Sequence, residues 1–197
     1  MNIIVLGDSI AWGAFDHSKG GWVERLKTHL FDYECFVYNC SISGNTSNDI
    51  LKRMNSEIEC RKDDIDGTGI IIAIGANDCG FGNGGKKEIS EEQYQTNIRK
   101  IYHRAKKITD NILFVGLTPI DDKKTNPVAW DSNLNYSHSV TKQYNYILEI
   151  FCSARDISFC SLIDLKTKSF SDGCHPDEET HNEISFRVSN KIEDWYK

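Results

Sequence analysis

The sequence predicts an α/β fold built around a parallel sheet, on three observations. Apolar runs of four to seven residues, rich in β-branched and aromatic side chains, recur along the chain. Each is followed by a stretch whose apolar residues repeat with helical period, the pattern of successive βα units. Residues with chemical potential, Ser9, Gly44 and Asn77, fall just past the first three runs, and open α/β sheets bind ligands outside the carboxyl ends of their strands.

Taken in order, the first strand is Asn2–Leu6, and it stops at Gly7-Asp8-Ser9. Trp22, Val23, Leu26 and Leu30 then form one helical face, before a second strand over Glu34–Asn39. Ile50, Leu51, Met54 and Ile58 make the next face, and the Thr46 to Asp49 spacing resembles a capping box at its start. A third strand covers Gly69–Ile74. Ser90-Glu91-Glu92-Gln93 has capping-box spacing ahead of a helix whose core stripe is Tyr94, Ile98, Ile101, Ala105 and Ile108. After a fourth strand, Ile112–Gly116, the stretch from Thr118 to Ser137 is polar and without period, and reads as a long surface loop of the kind that often covers an active site. Val140, Tyr144, Ile147, Leu148 and Phe151 mark another helix, Ile157–Cys160 a weaker fifth strand, and Ile184, Val188, Ile192 and Trp195 the last helix, opened by Pro176.

At 197 residues, with 39% hydrophobic and 26% charged residues and only three prolines, the chain has the profile of one packed domain spanning 1–197. Its net charge of −6 argues against nucleic acid as a partner, and the short Lys pairs at 86–87, 106–107 and 123–124 read as solvated faces. No apolar stretch is long enough for membrane insertion, the amino terminus lacks a secretory pattern, and the seven cysteines are an odd number without a CxxC pair. A reduced, cytoplasmic protein is expected.

A serine hydroxyl becomes a nucleophile only beside a base, and that base needs an orienting partner. Among six histidines, His175 has the most suggestive setting, in "SDGCHPDE", where a tight turn through Gly173 would present Asp172 and His175 together. Acyl transfer also needs donors aimed at a developing oxyanion, which the backbone N–H groups at Ser9 and Gly44 and the carboxamide of Asn77 could supply. Each element has a plainer reading alone: Ser9 and His175 as helix caps, Gly44 as a positive-φ residue, Asn77-Asp78 as a turn. Their common placement at strand ends favours the chemical one.

These blocks resemble the SGNH/GDSL hydrolases: Gly7-Asp8-Ser9-Ile10 for the first, Gly44 in "SISGNTS" for the second, Asn77 in "GAND" for the third and Asp172-Gly173-Cys174-His175 for the last. The match departs only at Ile10, where the family has leucine. The resemblance implies a flavodoxin-like three-layer α/β/α sandwich with a five-stranded parallel sheet of order 2-1-3-4-5. It implies Ser9 as nucleophile, His175 as general base and acid, Asp172 as its orienter, and Ser9, Gly44 and Asn77 as the oxyanion hole. The expected substrate is a small-molecule carboxylic ester, O-acetyl or short-chain acyl included, and no cofactor is required. Trp12 and Trp130 are candidate walls for either an acyl slot or a sugar.

Two patterns carry less weight. "GFGNGGKK", Gly80 to Lys87, has Lys87 where a nucleotide loop needs Ser or Thr, and Cys174, His175 and His181 lack the further ligands of a zinc site, so no metal is expected. An acyltransferase and a binding module with a vestigial triad are the competing functional readings.

Overall fold

The computed structural model describes residues 1–167 and 170–197. Among these residues, seven strands and seven α-helices follow in the order β1 (Asn2–Gly7), α1 (Ser9–Trp12), α2 (Trp22–Leu30), β2 (Phe36–Asn39), α3 (Ser47–Glu59), β3 (Thr68–Ala73), β4 (Phe81–Gly82), α4 (Glu91–Ala105), β5 (Ile112–Val115), α5 (Asp122–Thr125), β6 (Leu134–Asn135), α6 (His138–Ser153), β7 (Ser158–Cys160) and α7 (Glu178–Lys191). The main sheet runs β2-β1-β3-β5-β7, every pair parallel. Because two-residue β4 and β6 form a separate antiparallel sheet, the five strands of the main one follow the expected 2-1-3-4-5 order in the chain.

Alternation of side chains along each strand builds the three layers. Ile4 and Leu6 of β1, Ile70 and Ile72 of β3 and Phe114 of β5 point to one face, where they bury against Met54, Ile98, Tyr144 and Leu148 of α3, α4 and α6. Ile3, Val5, Ile71, Leu113 and Val115 point to the other, against Trp22, Leu26, Ile184 and Val188 of α2 and α7. A strand buried on both faces must be apolar at consecutive positions, which is why β1 and β3 read as unbroken runs.

The capping signals hold with one adjustment. The Asp49 carboxylate accepts from Thr46 N–H at 3.0 Å and from its hydroxyl at 2.7 Å, and Ser90 Oγ accepts from Gln93 N–H. The last helix starts later than expected: Asp177 is its N-cap, accepting from Thr180 N–H at 2.9 Å, so Pro176 precedes the cap. Ile108 lies beyond the end of α4 and is partly exposed, and Trp195 sits in a 3₁₀ turn after α7.

The largest departure is the stretch from Thr118 to Ser137. It contains α5 and β6, and Thr125, Val128, Asn135 and Tyr136 are buried, so it packs into the molecule rather than looping over it. Its β6 pairs with β4, which places "GFGNGGKK" in a hairpin-like turn and not between a strand and a phosphate-binding helix.

Candidate active site

The sheet's carboxyl edge brings the sequence-predicted residues together. β1 ends at Gly7 because a Cβ there would lie 2.5 Å from Ala11 Cβ and 2.8 Å from Ala73 O, so only glycine lets the chain turn at once into α1. Asp8 then caps α1, its Oδ1 accepting from Ile10 N–H at 3.0 Å, and Ser9 is the first helical residue. Past β2, Gly44 has φ +81° and open space around it, so its glycine is required by backbone conformation rather than room. Past β3, Asp78 accepts from the backbone N–H and hydroxyl of Ser47, pinning the Asn77 turn to the start of α3.

The fourth contribution comes from the turn before α7. His175 Nε2 stands 3.0 Å from Ser9 Oγ, and His175 Nδ1 stands 2.6 Å from Asp172 Oδ2. Asp172 Oδ1 also accepts the backbone N–H of Cys174 at 3.0 Å and of His175 at 2.9 Å. Burial pushes the Asp172 carboxyl up, but the bonds from the His175 ring and these two amides outweigh it and hold the group below the usual carboxylate range. An ionised Asp172 can only accept, so Nδ1 carries the imidazole proton and Nε2 presents its lone pair to the serine hydroxyl.

Asn77 faces the same cavity as Ser9, Gly44 and His175. Its Nδ2 donates to Asn45 O at 2.9 Å and its Oδ1 accepts from the hydroxyl of Tyr136 at 3.1 Å. The turn bonds run from Trp12 N–H to Asp8 O, from Ile42 N–H to Gly7 O and from Asn45 N–H to Ile42 O, leaving the Ser9 and Gly44 amides outside them.

The cavity holds about 680 Å³, the size range that encloses a small organic ligand. Its walls are largely apolar, with Ile10, Ala76, Ile120, Leu134 and Tyr136. Phe15 and Trp130, both about half exposed, flank the imidazole with ring centroids 4.9 and 6.0 Å from that of His175. Phe15 reaches this place in a left-handed conformation, φ +65°, which an aromatic residue rarely adopts. Trp12 lines the same mouth. Glu88 lines the cavity too, and neither it nor Tyr136 or Phe15 is marked by any local pattern in the sequence.

The sequence profile of the GDSL-like lipase/acylhydrolase family matches residues 5–182. The chain belongs to this family. It is a carboxylic ester hydrolase of GDSL type. Among solved structures, the lipase/acylhydrolase from Enterococcus faecalis is 20% identical, covers 100% of this chain and 98% of its own, and superposes with a TM-score of 0.80. The psychrotrophic esterase EstA from Pseudoalteromonas sp. is 18% identical, with 98% and 97% covered and a TM-score of 0.71. A catalytic mutant of the acetylxylan esterase Axe2 from Geobacillus stearothermophilus is 17% identical, with 100% and 96% covered and a TM-score of 0.74. These likenesses concern the fold. No functionally curated protein matches the chain.

Around this GDSL-type site lie groups with other roles. Asp8 is buried, and that burial pushes its pKa up to about 7, against the Ile10 N–H and the nearby His175 and with the nearby Asp78. The Cys174 thiol, 3.2 Å from His175 Nδ1, is pushed well above its usual range by burial and by Asp172, so it fills space beside the imidazole as a neutral thiol. His181 is fully buried on α7, and among the described residues neither ring nitrogen has a hydrogen-bond partner; burial lowers its pKa to about 4 and keeps it neutral. It does not join Asp172, Cys174 and His175, whose donor atoms lie within 4.8 Å of one another.

Proposed function

We propose that this GDSL-type hydrolase cleaves carboxylic esters through an acyl-enzyme on Ser9. The observation that carries the reading is the unbroken path from Ser9 Oγ through His175 to Asp172, at 3.0 and 2.6 Å, beside the Asn77 amide. His175 Nε2 takes the hydroxyl proton as Ser9 attacks the ester carbonyl, and Asp172 stabilises the imidazolium that forms. The negative charge moving onto the carbonyl oxygen is met by the Ser9 and Gly44 amides and by Asn77 Nδ2. His175 then gives its proton to the departing alkoxide, which leaves as the alcohol. Water enters, loses a proton to the same nitrogen and attacks the acyl carbon, and the proton returns to Ser9 as the acid is released.

The apolar walls, Ile10, Ile120 and Leu134, support an ester whose acyl group extends well beyond acetyl. Among p-nitrophenyl esters, kcat/KM is expected to rise with acyl length until the cavity is filled. A maximum at acetyl, with acetylated sugars turned over as well, would redirect the assignment to a deacetylase. The seven unpaired cysteines support a reducing compartment, and among the described residues no helix is long and apolar enough to cross a membrane.

Ser9→Ala tests the core of the reading. It is expected to abolish ester turnover and labelling by a fluorophosphonate while leaving the unfolding transition in place; a variant that still turns over ester at the original rate would overturn the mechanism.

A further inference from the structure

We infer that Tyr136 is a positioning residue for the oxyanion hole: its hydroxyl fixes the Asn77 carboxamide so that one Nδ2–H is presented to the cavity beside Ser9. The inference rests on the proposed role of Asn77 as an oxyanion donor.

The argument begins with the two ends of the amide. The carbonyl of Asn45 can only accept a hydrogen bond, so the atom 2.9 Å from it must be the Asn77 nitrogen. The Asn77 oxygen then faces Tyr136, whose hydroxyl donates to it at 3.1 Å. With one hydrogen committed to Asn45, the second is left for the cavity that Asn77 and Tyr136 line. A single anchor would let the amide rotate about its last torsion. The Tyr136 bond opposes that rotation and makes the donor available before charge develops.

The phenol is itself held in place. Tyr136 N–H donates to Thr125 O at 2.9 Å, and Tyr136 O accepts from the Thr125 hydroxyl at 2.9 Å. Thr125 is fully buried, so the strut from α5 through Tyr136 to Asn77 is anchored in the interior. Burial also raises the phenol well above its usual pKa, so the hydroxyl keeps its donor hydrogen throughout the working range. The stretch read from sequence as a surface loop thereby reaches the reacting centre.

Tyr136→Phe keeps the ring and removes only the hydroxyl. The expected result is a fall in kcat of about threefold to tenfold, the loss of one ordinary hydrogen bond, with KM changed less than about twofold. Fluorophosphonate labelling of Ser9, in which attack gives a five-coordinate phosphorus with negative charge on its phosphoryl oxygen before fluoride leaves, is expected to slow by a similar factor. In an Asn77→Ala background the same substitution is expected to cost nothing further, because the group it positions is gone. An unchanged kcat in Tyr136→Phe, or an equal loss with and without Asn77, would overturn the inference. Failure of the underlying reading shows differently: Asn77→Ala alone would then leave kcat intact, and the positioning role would fall with it.

Discussion

Replacing Asp8 by asparagine is expected to stabilise the folded protein by an amount that grows with pH. The side chain is buried, and that burial lifts its carboxyl from 3.8 to about 7, although Ile10 N–H and the nearby His175 pull the other way. In the unfolded chain the same group titrates near its ordinary value. Between those two values the folded protein holds a proton that the unfolded chain has released, so stability falls as pH rises. The contribution of that proton is complete below about pH 4 and is lost once pH has passed through about 7. Three pH decades at 1.36 kcal/mol each set the scale at about 4 kcal/mol. Asparagine has nearly the same shape, is an equally good N-cap, and can go on accepting from Ile10 N–H through Oδ1, but has no charge to bury. Urea unfolding of both proteins at several pH values from about 4.5 to about 8.5 gives the difference directly, other titrating groups largely cancelling. The variant's advantage is expected to climb across the range and level off above neutrality. A difference that is flat with pH, or that grows toward acid, would refute the reasoning.

Other outcomes follow from the same geometry. Asp172→Asn retains an oxygen for the Cys174 and His175 amides but turns an N–H toward His175 Nδ1, favouring the wrong tautomer; kcat on a p-nitrophenyl ester is expected to fall by on the order of 10³–10⁴, and a loss below about tenfold would contradict the orienting role. Asn77→Ala is expected to lower kcat by on the order of 10²–10³, whereas an effect confined to KM would mean ground-state binding. Asp16 and Arg25 form a buried ion pair that Arg25 extends to Asn182 of α7, so Asp16→Ala, which leaves the buried cation facing the half-exposed Glu178 carboxylate at 3.9 Å, is expected to cost about 3 kcal/mol in urea unfolding. Phe15→Asn is expected to raise stability by about 1 kcal/mol by relieving the left-handed backbone, while raising KM through loss of the ring beside His175; unchanged values of both would show that Phe15 is neither strained nor in contact with substrate.

Much of the architecture was legible because it depends on periodicity. Ile3 to Leu6 had to be apolar throughout to satisfy helices on both faces, and Trp22 to Leu30 had to keep helical period to cover one of them. Ser9, Gly44, Asn77, Asp172 and His175 were legible for a different reason: each sits in a short local pattern, and the first three lie in the turns that leave β1, β2 and β3. Where the sequence offers no period, tertiary contacts decide. Val128 and Tyr136 are buried in a polar, proline-containing stretch because α5 and the β4–β6 ribbon carry them inward, which nothing local announces. Pro176 was a sound helix-start signal displaced by Asp177, whose side chain could cap the helix where a proline could not. Phe15 depends on a strained backbone value that only the assembled site explains.

The Ser9–His175 contact closes across 166 residues of chain, from the turn after the first strand to the turn before the last helix. Helices form from neighbours in sequence, whereas this contact waits for the sheet to be laid down on both sides of β1. Ester turnover is therefore expected to report on long-range assembly of the sheet rather than on helix formation. In a refolding experiment the helical signal in circular dichroism should recover first and hydrolysis afterwards, and the interval between them measures how long Ser9 stands apart from His175.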